Sequence, residues 1–220
     1  MVPDFNTPAF GHLEFDGIVA QNGGYCALGD GKVIFSRFLE PADVQALCTY
    51  LEVHRNPFPV SMMTEEGVFI NHLDPKVLAL AKMINVKLPV VRPLVELAHQ
   101  DVLQINIYAP ADVEEVITRT VLPHCESSRW HPDFADINVV GNTKATGIDK
   151  MLAYFHIDIS RTMGFGDGGN DIPMLEHVAV GVAMGNSEPE VLARTRYHAD
   201  TVDNDGIARF LQEYFTKFDK

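Results

Sequence analysis

The stretch MGFGDGGNDIPML, Met163–Leu175, sets two carboxylates and an amide into a glycine-rich turn behind a short apolar run. If that run is a buried strand, Asp167 stands at its carboxyl end, where an open parallel sheet binds its ligands. The glycines let the backbone turn tightly and leave a concavity beside the carboxylate. Asp171 opens the following helix, so its side chain can fold back toward Asp167. Two hard oxygen ligands in such a place suit Mg²⁺, which takes few carboxylates and completes its shell with water or phosphate oxygens. The plain alternative is an ordinary Asp/Gly/Asn turn in which Asp171 caps a helix. Lys144, in GNTKATGID, repeats the placement at the seam between the strand FADINVV and the next helix. A rim lysine there supplies a point charge for a phosphoryl oxygen, and its alternative is a solvated residue at a helix start.

The elements around these residues fall into two patterns. FDGIVAQNGGY reads as a short buried strand stopped by Asn22-Gly23-Gly24. EPADVQALCTYLEVH is helical, with Pro41 in the first turn and Val44, Leu47, Cys48 and Leu51 on one face. FPVSMMTEEGVFINH reads as a hairpin turning at Thr64–Gly67, and DPKVLALAKMI as a helix capped by Asp74. DVLQINIYA alternates as a half-buried strand does, and APADVEEVITRTVL is a third helix. This mixture predicts an α+β module with an antiparallel sheet covered on one side.

From about Arg129 the pattern changes. FADINVV, TMGFGD and AVGVAMG are short apolar strands that alternate with the helices KATGIDKMLAYFHI, DIPMLEHV and VLARTR, the last opened by a capping box over Ser187–Glu190. DGIARFLQEYF closes the series with one apolar stripe. Such alternation predicts a parallel, doubly wound sheet. The expected fold class is α/β: a Rossmann-like core formed by residues 1–24 and 126–220, with an inserted α+β module over 25–125.

A formal charge of −13 and the lack of a basic stripe argue against nucleic-acid or anionic-membrane partners. A negative protein that handles a negative substrate needs a cation as intermediary. Three cysteines without C-x-x-C spacing fit free thiols in a reducing compartment. No apolar stretch is long enough to span a bilayer, and no secretory signal opens the sequence, so a cytoplasmic location is expected. The histidines show no H-x-x-x-H spacing, which argues against zinc.

Together, GNTKATGID, MGFGDGGNDIPMLEHVAVGVAMGNSEPEV and ADTVDNDGI resemble the C-terminal half of haloacid-dehalogenase-superfamily phosphatases of the Cof type, with a type IIB cap. RWHPDFADI and FDGIVAQNGGY match the same subgroup and bracket the cap insertion. The resemblance implies Mg²⁺-dependent hydrolysis of small phosphomonoesters, often sugar phosphates, with a small phosphorylated metabolite as partner. It implies that Lys144 is the catalytic, phosphate-facing lysine and Asp167 a metal ligand. Asp171 would support the metal or orient Lys144, and Asn170 would contact phosphate. Arg129 and Asn22, at the two cap hinges, are candidate substrate contacts. For Trp130 and His131 the plainer roles are a hinge anchor and a surface residue, and Asn22 serves equally well as a turn residue.

One departure stands against the match. The family opens with a strand ending in D-x-D-G-T, whose first Asp attacks phosphorus and whose second shuttles a proton. PDFNTPAF, with Asp4, Asn6 and Thr7, is only a superficial mimic, because three residues make no central strand and Asn6 cannot shuttle a proton. The expectation is a core that is N-terminally incomplete, with little or no turnover and exposed sheet edges that favour self-association. A non-catalytic sugar-phosphate-binding protein and a truncated gene remnant are the alternatives.

Overall fold

The computed structural model describes residues 15–218, so the Asp4–Thr7 segment lies outside the described residues. The chain divides into two compact units, one ending at Asn142 and one starting at Thr143. No helix among the described residues is long and apolar enough to cross a membrane.

The first unit opens with a three-stranded antiparallel sheet of β1 (Gly17–Ala20), β2 (Tyr25–Leu28) and β3 (Val33–Ser36). Gln21 and Asn22 make the β1–β2 turn in the left-handed region, at φ 48° and 49°. Helix α1 (Pro41–Val53) starts on Pro41 because the pyrrolidine ring presets its φ and lacks only an N–H that no helical carbonyl would accept. β4 (Val60–Thr64) and β5 (Gly67–Ile70) form the expected hairpin, closing with Thr64 opposite Gly67. The Asp74 carboxylate caps α2 (Pro75–Met83) by accepting from the Val77 N–H at 2.9 Å. Then follow β6 (Val90–Val91), β7 (Gln104–Ile107), α3 (Ala111–Thr120), β8 (Cys125–His131) and β9 (Phe134–Val139). The larger sheet runs β6-β5-β4-β7-β9-β8, antiparallel throughout except for β5–β6.

One face of this sheet carries Val60, Met62, Ile105, Ile107 and Ile137, all fully buried in a core with Leu47, Leu51 and Ile117 from the helices. The other face carries Ser61, Gln104, Asn106 and Asp136, and these are buried too. They are kept from costing stability by bonding one another. Gln104 and Asn106 donate to Asp136 Oδ1 at 3.0 and 2.5 Å, Ser61 donates to Asn106 at 3.2 Å, and Asn22 donates to Asp136 Oδ2 at 3.3 Å.

Two expectations need correcting here. β7 is buried on both faces, where half-burial was expected, because its polar face is satisfied by side chains instead of water. FADINVV also does not join a parallel core sheet: β9 pairs antiparallel with β7 and β8. Its fully buried run, in which Asp136 and Asn138 alternate with apolar residues, mimics the continuous apolar strand of a parallel sheet. The change of pattern therefore falls at Asn142–Thr143, later than Arg129, and β8 and β9 lie in the first unit.

The second unit contains α4 (Lys144–Phe155), β10 (Met163–Gly166), α5 (Ile172–His177), β11 (Val180–Ala183), α6 (Pro189–Ala193), β12 (Tyr197–His198) and α7 (Gly206–Phe218). Its strands form a parallel sheet in the order β10-β11-β12. Thr143 and Thr146 cap α4 reciprocally. The capping box expected at Ser187–Glu190 does not form. Glu188 is the N-cap residue without a side-chain cap bond, Pro189 begins α6, and Ser187 Oγ reaches the Gly166 carbonyl at 3.4 Å instead.

Candidate phosphate and metal site

In the second unit, parallel strands bring their carboxyl ends to one rim. β10 delivers Asp167, and the chain turns through Gly168 and Gly169 into α5. Asp171 folds back across this turn and is nearly fully buried. Its Oδ2 accepts from the backbone N–H of Asp167 at 3.0 Å and of Gly168 at 3.1 Å. Its Oδ1 accepts from Lys144 Nζ at 2.5 Å. One carboxylate thus fixes both the turn that bears Asp167 and the ammonium delivered by the start of α4. Gly166 is required for this: a Cβ there would lie 2.5 Å from the Asp171 Cβ.

Lys144 carries three N–H donors, and the bond to Asp171 uses one. Among the described residues the other two have no partner and remain for an anion, and the amine is only partly exposed. Asp167 is exposed, and its Oδ2 accepts from Asn186 Nδ2 at 2.8 Å. Asn186 follows β11 at the same rim and was missed in the sequence, although a strand-end search through AMGNSEPE reaches it. Asn170 is half-buried, with its Oδ1 2.9 Å from where a Gly168 Cβ would stand. Arg194–Glu176 and His177–Asp149 tie α5 to the surrounding elements at 2.6 and 2.7 Å.

The fit to a divalent cation follows from this donor set. Both Asp171 oxygens are engaged with protein donors, so Asp171 is built to hold Lys144 and the turn. Asp167 has one oxygen turned to Asn186 and a second without a hydrogen-bond donor among the described residues. A single monodentate carboxylate suits Mg²⁺, which binds through one or two carboxylates and keeps waters and phosphate oxygens for the rest. No group of three or more His, Cys, Asp or Glu side chains among the described residues is arranged to hold a metal.

Asn22 and Arg129 belong to the first unit and are committed to it. Asn22 serves the β1–β2 turn and bonds Asp136. Arg129 has five N–H donors, and the protein takes all of them. Nε donates to Glu114 at 2.6 Å, Nη1 to the carbonyls of His131 and Pro132 at 3.2 and 2.7 Å, and Nη2 to the Ala109 carbonyl at 2.9 Å and to Glu114. This guanidinium neutralises a buried glutamate and joins α3 to the β8–β9 turn, leaving no N–H for a substrate. Trp130 packs edge-on to Phe134, and His131 Nδ1 accepts from the Asp133 N–H at 3.2 Å.

Three comparisons with known proteins agree with this geometry. The family model for haloacid dehalogenase-like hydrolases matches residues 5–211. The solved structure of BT4131, described as a subclass IIB sugar phosphatase of the HAD superfamily, aligns with a TM-score of 0.81 at 32% identity, covering 90% of this chain and 75% of that one. BT1666 from Bacteroides thetaiotaomicron, described among phosphatases of the same superfamily, aligns with a TM-score of 0.79 at 36% identity, covering 90% and 74%. The Bacillus subtilis 5-amino-6-(5-phospho-D-ribitylamino)uracil phosphatase YitU is 34% identical over 125 residues, which is 56% of this chain and 43% of that protein. A parallel α/β unit with its charged rim, an antiparallel α+β unit and a match over nearly the whole length lead to one conclusion: the chain belongs to the haloacid dehalogenase-like hydrolases, with the fold of their subclass IIB phosphatases.

Proposed function

We propose that the rim of the second unit binds the phosphoryl group of a small phosphomonoester, sugar phosphates among them, as part of the family's phosphatase chemistry. The observation that carries this reading is the Lys144–Asp171 pair at 2.5 Å, with Asp171 also clamping the turn that presents Asp167. Lys144 offers its free N–H donors and its charge to a phosphoryl oxygen, and Asp171 fixes where that charge stands. Asn170 is the nearby amide for a further phosphate contact. Phosphatases of this superfamily generally use Mg²⁺, and Asp167 is the residue that would hold it. When bound, the ion offsets phosphate charge that a chain of net charge −13 would otherwise repel.

The sequence contains no D-x-D-G-T. We therefore propose that these 220 residues on their own bind phosphate but turn over little or no substrate, since proton-transfer groups alone are worth about 10²–10⁴-fold. Calorimetric titration with inorganic phosphate, with and without Mg²⁺, tests the binding, and p-nitrophenyl phosphate tests the turnover. Mg²⁺-dependent binding that Asp167→Ala removes and Lys144→Ala weakens at least tenfold is the expected result. Binding indifferent to both substitutions would refute the site. Brisk hydrolysis would refute the non-catalytic reading and leave the phosphate site standing.

A further inference from the structure

Asp167 stands exposed just past the end of β10, where its carboxyl group turns through a broad range of angles unless something holds it. Asn186 holds it, donating from Nδ2 to Asp167 Oδ2 at 2.8 Å. The direction of this bond follows from charge, because turning the amide round would set its carbonyl oxygen against a carboxylate oxygen.

Asn186 is itself exposed, yet the turn that carries it is pinned from two sides. Toward β10, the Met184 N–H and Ser187 Oγ both donate to the Gly166 carbonyl, at 3.0 and 3.4 Å. On the other side the Gly185 N–H donates to the Asp200 carbonyl at 3.3 Å, and a Cβ on Gly185 would stand 2.9 Å from the Thr201 backbone nitrogen. The Ser187 N–H closes the turn on the Met184 carbonyl at 3.0 Å. The backbone of Asp167 is fixed separately, by the Asp171 carboxylate. Two different residues therefore clamp the backbone and the carboxyl group of Asp167, and they present one of its oxygens to the rim with the other already occupied.

A carboxylate held this way meets a cation through one oxygen. Mg²⁺ demands near-ideal octahedral geometry and is served by a single well-aimed oxygen, whereas Ca²⁺ takes more oxygens in looser geometry and accepts carboxylates through one oxygen or both. Asp171 cannot supply a bidentate carboxylate instead, because both of its oxygens are engaged. We infer that Asn186 decides the ion: by occupying Asp167 Oδ2 it denies Ca²⁺ a bidentate carboxylate and sets the rim for Mg²⁺. The inference rests on the reading of Asp167 as the residue that holds the cation, and it adds which cation that residue is set to prefer. Asn186 is in this sense a positioning residue, acting through Asp167.

Metal ions alone test it. Mn²⁺ bound to the full chain is followed by electron paramagnetic resonance and displaced with Mg²⁺ or with Ca²⁺, and the ratio of the two displacement midpoints is the readout. In the unaltered chain Mg²⁺ should displace Mn²⁺ at a lower concentration than Ca²⁺. Asn186→Ala should weaken Mg²⁺ about tenfold, the scale of losing a residue that orients a metal ligand. Ca²⁺ should hold or gain, so the ratio moves about tenfold toward Ca²⁺. Asn186→Asp should move it the same way, since a carboxylate cannot donate to Asp167 and adds an oxygen for the larger ion. Ser187→Ala removes a bond of the same turn, the one to the Gly166 carbonyl, and should leave the ratio unchanged. A starting ratio that favours Ca²⁺, a ratio indifferent to Asn186→Ala, or an equal shift in Ser187→Ala would overturn the inference. Asp167→Ala keeps the two readings apart, because it should abolish the displaceable Mn²⁺. If that Mn²⁺ survives the loss of Asp167, the cation reading falls and the inference with it. If it is lost while the ratio ignores Asn186→Ala, the inference alone falls.

Discussion

The two units place charge in opposite ways. In the first, ionised groups are turned inward and spent on the fold: Arg129 gives every donor to Glu114 and three carbonyls, and buried Asp43 accepts from the His124 backbone and ring and from the Cys125 thiol. In the second, Asp167 sits at the end of β10 and Lys144 at the start of α4, and part of each remains exposed. The difference follows from sheet type. An antiparallel sheet closes its connections in short turns, so a charge near a turn finds backbone carbonyls to satisfy. A parallel sheet sends every strand the same way and collects its loop residues at one rim, where they face a ligand.

That contrast can be broken most forcefully at Arg129. Arg129→Ala leaves Glu114 buried without its cation and should cost about 3 kcal/mol in chemical denaturation. Phosphate affinity should not change in the fraction that remains folded. A loss of phosphate affinity at unchanged stability would mean that the arginine serves the ligand after all. Gly166→Ala is the mirror experiment. The added Cβ would press on Asp171 at 2.5 Å, and relieving that overlap should cost about 1–3 kcal/mol. Displacing Asp171 should also reduce phosphate affinity at least tenfold in titrations under native conditions. Full affinity in this variant would show that the Asp171 clamp is dispensable.

The buried thiols sharpen the same comparison by pH instead of by substitution. Burial pushes the Cys48 thiol up to about 11 and, with Asp43 beside it, the Cys125 thiol up to about 12, from an ordinary 9.0. The unfolded chain loses these protons first, so the folded state binds more protons between pH 9 and 11. Stability is then fully present below pH 9 and falls by about 1.4 kcal/mol per pH unit for each thiol as pH rises. Denaturation midpoints measured from pH 8 to 10.5 should decline accordingly, and Cys48→Ala should flatten the decline. A midpoint that holds steady to pH 10.5 would contradict the burial assigned to these residues.

Much of this was legible in the chain because it depends on neighbours a few residues apart. Pro41 and Asp74 start their helices where their chemistry says they should, and the Thr64–Gly67 turn closes its hairpin. The Met163–Leu175 stretch forms its strand, turn and helix in order. Lys144 and Asp171 are 27 residues apart, and since the strand before Lys144 belongs to the first unit, it is the start of α4, packed against α5, that brings the ammonium to the turn after β10. Asn186 escaped only because the strand-end rule was not carried to the end of β11.

What tertiary structure alone decided is where the hydrogen bonds of polar strand residues go. Gln104, Asn106 and Asp136 alternate with apolar neighbours as a solvated face would, and only the pairing of β7 with β9 turns them into a buried network. Arg129 looked free for substrate until the β8–β9 turn and α3 closed around it. The physical reason is range. Helix and strand periods are set by backbone geometry within a few residues, so the sequence determines them. Side-chain partners across a sheet are set by register between distant segments, and only the folded chain fixes that register.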